Sequence, residues 1–575
     1  MIVRKFFAKH WPIYLLGIFF LIVTDLLSLL IPWATGRAVD SIGLGNGEVG
    51  QSILLIGAVA IAMAILRYLY RECIMGTTRR LEHHLRNKIF HHSLFVPISV
   101  YDEAGPGKIM ALTVNDVTSV RVAVGLGIML LVDAGIMGLA SFAVMFRSID
   151  PTLTLLSVAP LPFVFVGTAW LGRIVHIRFR KVQEQFGELT EFAQELFGGV
   201  KIVKAFGAET QFSKRFAAVN RENMAANLAL ANIQAVYIPV THVAPLFCYA
   251  IALFIGGRMI ILDSLTVGEL TAFTGYLGLI IWPVMGLGYL INTVQRGRAS
   301  YKRIADFLST PADELEKLES TFSAATYPLT GAIEINNLTF QYPQAATASL
   351  NDVSIRIPAG ATVGIVGRTG SGKTTLLRIL LRLYPVPDGT VFIDGVDLNQ
   401  HDFLRLRGDT GYVPQEAALF SMTVADNITF GGDYQREQIE QAADQAVVQT
   451  DIDARTEGFG TILGEKGLRL SGGQRQRVAI ARALIRNPRI LLLDDVFASL
   501  DYRTQNLLVD NLREMEAGRT TLIVSQRVAA VEHAKFILVF DAGRICEQGT
   551  HQELIARRGL YYKLYEQQLA LGDGA

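Results

Sequence analysis

Apolar residues come first in long stretches and later in short alternating runs, and the change falls near residue 303 of 575. Six early segments are long enough to cross about 30 Å of hydrocarbon as helices. They lie near 13–33, 52–70, 124–146, 152–171, 240–262 and 270–291. The first follows Arg4 and Lys5, outlasts a signal-peptide core and ends without a small-residue cleavage site, so it reads as a retained span. The texts RRLEHHLRNKIFHHSLF and EFAQELFGGVKIVKAF carry apolar residues at helical spacing in the polar loops 71–123 and 172–239. Helices therefore run well beyond the bilayer. Breaks between Pro97 and Gly107, and at Gly198, Gly199 and Gly207, predict short transverse helices near 98–108 and 207–215. Pro160, Pro162, Pro245 and Pro283 predict kinks inside spans.

Residues 304–330 are polar, with Pro311 and an acidic run, and read as a linker. From 331 to 571 short strands alternate with helices, beginning AIEINNLTFQY, ASLNDVSIRI and ATVGIVG and closing on a charged helix at 552–568. The fold class is a multidomain membrane protein, with an all-α six-helix domain over 1–303 followed by an α/β domain.

Composition agrees: 51% of residues are hydrophobic and 18% charged, greasier than a typical soluble chain. A net charge of +1 supplies no global field for nucleic acid, which is not expected as a partner. Cys73, Cys248 and Cys546 have no metal-ligand spacing and form no disulfide framework. The charge pattern fixes orientation. Arg71, Arg79, Arg80, Arg86, Lys88 and Lys108 lie in the first long loop, and Arg173, Arg178, Arg180, Lys181, Lys201 and Lys204 in the second. The loops 34–51, 147–151 and 258–268 carry only Arg37, Arg147 and Arg258. The positive-inside rule then places the long loops, both termini and the second domain in the cytoplasm, with the spans in a bacterial-type plasma membrane.

Gly367, Arg368, Thr369, Gly370, Ser371, Gly372, Lys373 and Thr374 match G-x-x-x-x-G-K-[ST] between an apolar strand and the helix-like TTLLRILLRLY, which opens on Thr374 and Thr375. Backbone N–H groups there can surround phosphates at a helix N-terminus, with Lys373 on the β/γ-phosphates and Thr374 on Mg2+. Asp494 ends the strand RILLLD. A strand-end aspartate alone more often caps a helix, but beside a phosphate loop it suits a magnesium-holding carboxylate. Ser471, Gly472, Gly473 and Gln474 precede the helical run RQRVAIARALI. The bland reading is a helix cap before a solvated basic face, and the sharper one a second anion site.

LSGGQ together with the phosphate loop resembles the ATP-binding cassette exporters, over nearly the whole chain. The resemblance implies a six-helix transmembrane exporter domain fused to one ATP-binding cassette domain, with ATP and Mg2+ bound. It also implies that two cassettes pair head to tail, each ATP lying between one chain's phosphate loop and the other's signature. By the same resemblance Tyr342 stacks on adenine, and Gln415 touches magnesium and the attacking water. Gly464, Glu465, Lys466 and Gly467 contact the partner's loops, and Asp501 communicates between sites.

Two positions depart from the family. Its text after the magnesium aspartate is E-A-T-S-A-L-D, whereas here it is Asp495-Val-Phe-Ala-Ser-Leu-Asp501, and the switch histidine is Gln526. An aspartate oxygen falls back by about 1.5 Å along the stem, and a misplacement near 1 Å can cost on the order of 100-fold in rate. Glutamine is neutral and carries no proton away. The expectation is an ATP-hydrolysing transporter whose own site binds well and turns over slowly. It would work as one half of a heterodimer, its intact signature completing the partner's site, and export amphipathic compounds, multidrug or lipid-like. The alternatives are a flippase for lipids or lipid-linked molecules, and an ATP-gated regulatory subunit. A DNA-repair or chromosome-organising ATPase shares these motifs, but the six spans exclude it.

Asp25 and Asp133 fall inside apolar spans. Such carboxylates are expensive there. They serve either a cationic substrate or a proton, or else a hydrogen bond between helices. His242 reads as a packed histidine, and Tyr276, Trp282 and Tyr289 as path-lining or interface aromatics.

Overall fold

The long apolar stretches fold as helices: α1 Ile2–Ser28, α2 Leu30–Leu44, α3 Val49–Arg71, α4 Thr77–Phe95, α5 Ile98–Ala111, α6 Val117–Ser148, α7 Pro151–Val158, α8 Pro160–Gly198, α9 Val200–Ala205, α10 Glu209–Ile261 and α11 Val267–Ser309. The structure is a computed structural model that describes residues 2–44, 49–311, 329–343, 345–464, 467, 469–515 and 518–570. The chain forms two compact units, Met1–Leu94 with Pro106–Pro311, and Phe95–Gly105 with Ala312–Ala575.

In the first unit, Lys5–Gly43, Val49–Phe95 and Gly105–Ser148 are long and apolar enough to cross a membrane, among the described residues. Shorter apolar stretches, Pro151–Phe163, Leu246–Ile261 and Val267–Ile281, lie where the other three spans were expected. Side chains such as Leu54, Leu139 and Phe254 are largely exposed, which suits helices whose solvent is lipid or another subunit. Small residues let neighbouring helices approach. A Cβ on Gly36 would stand 2.4 Å from the Gly268 carbonyl oxygen, and one on Gly17 would stand 2.7 Å from the Ile74 side chain. α3 passes into α4, and α5 into α6, through single π-helical turns at Glu72–Gly76 and Leu112–Asp116.

Several expectations shift. The first transverse segment, α5, kinks at Gly105 (φ 67°, ψ 157°), a conformation that only glycine adopts readily. The second short helix is α9, Val200–Ala205, lying between the glycine breaks, and α10 already begins at Glu209. Residues 304–309 belong to α11, because Ile304 and Phe307 share one buried helical face and a His92 ring nitrogen lies 3.1 Å from the Phe307 carbonyl oxygen. Pro160 starts a helix instead of kinking one, and α10 and α11 continue through positions 245 and 283. Tyr276 is buried and donates to the Leu29 carbonyl at 2.9 Å, a bond between helices, while Tyr289 is exposed. The linker from 312 to 328, Glu465, Lys466 and the side chains of His242, Pro245, Trp282 and Pro283 lie outside the described residues.

The second unit carries two sheets. The four-stranded one runs β2 (Leu350–Ile357), β1 (Ile333–Phe340), β4 (Val391–Ile393), β5 (Val396–Asp397). The six-stranded one runs β10 (Arg544–Gly549), β9 (Phe536–Asp541), β3 (Thr362–Gly367), β8 (Thr520–Val524), β7 (Ile490–Asp494), β6 (Thr410–Val413), parallel except for β10. A parallel sheet is buried on both faces. Alternate residues accordingly feed two cores: Leu491, Leu493 and Ile523 face one, and Ile490, Leu492, Leu522 and Val524 the other. The C-terminal helix expected as one piece is two, His551–Arg557 and Leu560–Ala570, separated by the left-handed Arg558.

Candidate active site

Three parallel strands, β3, β7 and β8, end side by side, and the candidate residues sit just past those ends. β3 runs into the loop at Gly367, where a Cβ would stand 2.2 Å from the Phe540 carbonyl oxygen. Arg368, Thr369 and Gly370 are exposed at the loop's crest, and a Cβ on Gly370 would meet nothing within 4 Å. Gly372 turns left-handed (φ 99°) to start the helix Lys373–Leu380, without a side-chain cap. The first-turn N–H groups of such a helix suit an anion. The Lys373 ammonium donates to the Gly367 and Arg368 carbonyls, both at 2.8 Å, and to the Ser371 hydroxyl at 3.3 Å. Burial lowers its pKa, and Asp495 and Asp494 partly offset that.

Asp494 ends β7, is 1% exposed, and accepts a hydrogen bond from the Thr374 hydroxyl at 2.9 Å. Burial pushes its carboxyl up, against the Thr374 bond and the Arg378 charge. A hydroxyl and a buried carboxylate converging beside a lysine form a hard-oxygen donor set that fits Mg2+. Tyr342 lies half-buried just past the end of β1, its hydroxyl 3.2 Å from Thr375 Oγ1. Its ring meets Phe340 and Tyr384 edge-on at 5.1 and 5.0 Å.

Asp495 follows with a left-handed backbone (φ 50°), which aspartate tolerates better than most residues. Its N–H donates to the Val524 carbonyl at 2.8 Å, tying it to the end of β8. Gln526 stands just beyond that same end. Its backbone N–H donates to Asp495 Oδ1 and its side-chain amide to Oδ2, each at 3.3 Å. The Gln415 amide reaches the same Oδ2 at 3.5 Å. The structure thus brings the three positions together on one carboxylate.

Ser471 caps the helix Gly472–Leu484. Its hydroxyl accepts from Gln474 N at 3.2 Å, and Gln474 Oε1 accepts from Ser471 N at 3.1 Å. Gln474 also donates to Asp451 at 2.7 Å, and Asp451 pairs with Arg477 at 2.8 Å. A Cβ on Gly473 would crowd the Ser499 carbonyl oxygen at 3.0 Å, while Gly472 has room. No hydrogen bond among the described residues joins 471–474 to 367–375. Asp501 caps the helix Tyr502–Glu514 by accepting from Thr504 N at 3.0 Å, which lowers its pKa.

Two groups escaped the sequence reading. Tyr412, on β6, lies against Asp494 and Arg378, and burial pushes its pKa up to about 12. Tyr384 donates to the Asp102 carboxylate of α5. Neither carries a local signal, since both depend on which strand or segment lies alongside.

A family model described as ABC transporter transmembrane region matches residues 14–284, and one described as ABC transporter matches 350–498. The chain is 36% identical to the probable multidrug resistance ABC transporter ATP-binding/permease protein YheI of Bacillus subtilis, over 98% of this chain and 96% of that one. It is 34% identical to the multidrug resistance-like ATP-binding protein MdlA of Escherichia coli, over 98% and 95%. Identity to the ATP-dependent lipid A-core flippase of Yersinia pestis is 31%, over 95% and 92%. With likeness running through both units, the chain belongs to the ABC transporter family, as an ATP-hydrolysing transporter of the exporter type with its membrane domain and cassette fused in one polypeptide.

Proposed function

We propose that this chain exports amphipathic compounds across the plasma membrane as one half of a heterodimer, and that its own ATP site turns over slowly. The supporting observation is the carboxylate of Asp495, both of whose oxygens already accept bonds from Gln526, with Gln415 on one of them. To polarise a water, that carboxylate must share an oxygen, and it does so on a stem one methylene shorter than glutamate. Gln526 can donate to a phosphate but takes up no proton.

Binding is a separate matter. The loop amides, Lys373, and Tyr342 under the base would grip ATP. Thr374, Asp494 and Gln415 would hold Mg2+, which supplies charge neutralisation to the phosphates. The capped signature of Ser471, Gly472, Gly473 and Gln474 would complete the partner's site. Six spans would keep both termini and the cassette on the cytoplasmic side.

Turnover of the purified chain alone, compared with the complex it forms with a second half-transporter, tests this reading. The chain alone is expected to hydrolyse ATP slowly and without drug stimulation, and the complex briskly. Fast, drug-stimulated hydrolysis by the chain alone would overturn it. Identity to a lipid A-core flippase favours a second reading, in which the cargo is a lipid. Head-group movement in vesicles without drug efflux would select that one.

A further inference from the structure

Three charged side chains lie at one level of the first unit. α1 runs antiparallel beside the continuous run of α3, the π turn and α4: the Tyr14 hydroxyl is 3.4 Å from Thr78 Oγ1 on α4, and a Cβ on Gly17 would touch Ile74 in the π turn. Following that register, Asp25 on α1 stands level with residues 66–67 of α3, hence with Arg67. α6 carries Gly125 against Met75 and Thr78, which brings Asp133 to the level of residues 67–70. The Ser28 hydroxyl lies 3.5 Å from Met137 Sδ, so α1 and α6 put Asp25 beside residue 134. Asp25, Arg67 and Asp133 are within electrostatic reach of one another.

Asp25 is 7% exposed, and its Oδ2 has no hydrogen-bond partner among the described residues; neither has Asp133 Oδ1. Buried carboxylate oxygens without partners are costly, more so when two share a site. With both carboxylates ionised, one guanidinium beside them leaves a net charge of −1. That balance suits one monovalent cation and over-fills with a divalent one. The adjoining packed cluster contains Tyr70, Met129 and Phe20, side-chain types that make favourable contacts with organic cations.

We propose that Asp25 and Asp133 form a binding site for a monovalent organic cation between α1, α3 and α6. This deepens the export reading, on which it rests, by naming the charge of one substrate class. The site would hold the cationic head of an amphiphile while its apolar part lies along the neighbouring helices.

The test uses the native complex purified through this chain and placed in lipid nanodiscs and in vesicles. Ethidium is the cationic probe and the acetoxymethyl ester of calcein the neutral one. Asp25→Asn and Asp133→Asn are each expected to weaken ethidium binding and efflux about tenfold or more, the scale of a lost charge-assisted contact. The neutral ester should change by less than about twofold, which also shows that the variants fold, and Asp25→Glu should keep most ethidium binding. Ethidium binding unchanged in both Asn variants overturns the site, as does an equal loss for both probes. Asp25-dependent ethidium binding in a complex that exports neither probe sustains the site and overturns the exporter reading instead.

Discussion

At Asp495 one methylene and three hydrogen bonds act together. Asp495 is tied twice to the end of β8, by its backbone N–H to the Val524 carbonyl and by its carboxylate to Gln526. Lengthening the stem and replacing the amide should therefore act together. The double variant Asp495→Glu, Gln526→His is expected to raise phosphate release by the chain alone on the order of 100-fold, the scale of a 1 Å correction. ATP affinity should stay within about twofold, since neither residue belongs to the loop that grips phosphate. Unchanged turnover would show that the limit lies elsewhere. The residue types at 495 and 526 were legible in the sequence; that Gln415 and Gln526 converge on the same oxygen was not, because three distant strand ends supply them.

Among elements, α11 is fastened to the start of α6 by an ion pair. Arg303 donates to Asp116 at 3.0 and 2.5 Å and to Ser300 at 3.0 Å. The Arg303 bond holds the Asp116 carboxyl below the ordinary carboxylate range, against the opposing effect of burial. A depressed folded pKa means that this stability is present above the unfolded value and is lost as pH falls through the folded one. Arg303→Met leaves the buried carboxylate unpaired and should cost roughly 1–3 kcal/mol at neutral pH, the scale of a hydrogen bond to a charged group. Thermal melts should show the gap to the unaltered protein closing below about pH 4, where a protonated Asp116 needs no cation. A gap that stays constant with pH would point to lost packing instead. The same scale shows where local reading fails. Glycine and proline marked the breaks near 98–108 and 198–207, but not on which side of each break the short helix would form. The apolar pair Ile304 and Phe307 carried α11 past the point where composition turned polar.

For the whole transporter, the proposed pairing makes the two ATP sites unequal, and the inequality can be read from this chain's own motifs. In the two-subunit complex, Ser471→Ala in this chain strikes the partner's fast site. It is expected to cut steady-state turnover on the order of 100-fold, as for one lost transition-state donor. Lys373→Ala strikes the slow site and should lower turnover by less than about threefold while abolishing nucleotide retention there, seen by labelled-ATP trapping. The reverse ranking would assign the fast site to this chain and sink the heterodimer reading.

The sequence by itself determined that two kinds of structure follow one another, because hydropathy period and span length are local properties. It likewise determined the phosphate loop and the signature, since each is built from consecutive residues at one helix start. Only the tertiary structure decided what those residues meet. Strand order sets Asp494 against Thr374 and Tyr412, and Asp495 against Gln526 and Gln415. Helix register brings Asp25, Arg67 and Asp133 to one level. Such meetings depend on contacts between residues far apart in the chain, which no run of neighbouring side chains encodes.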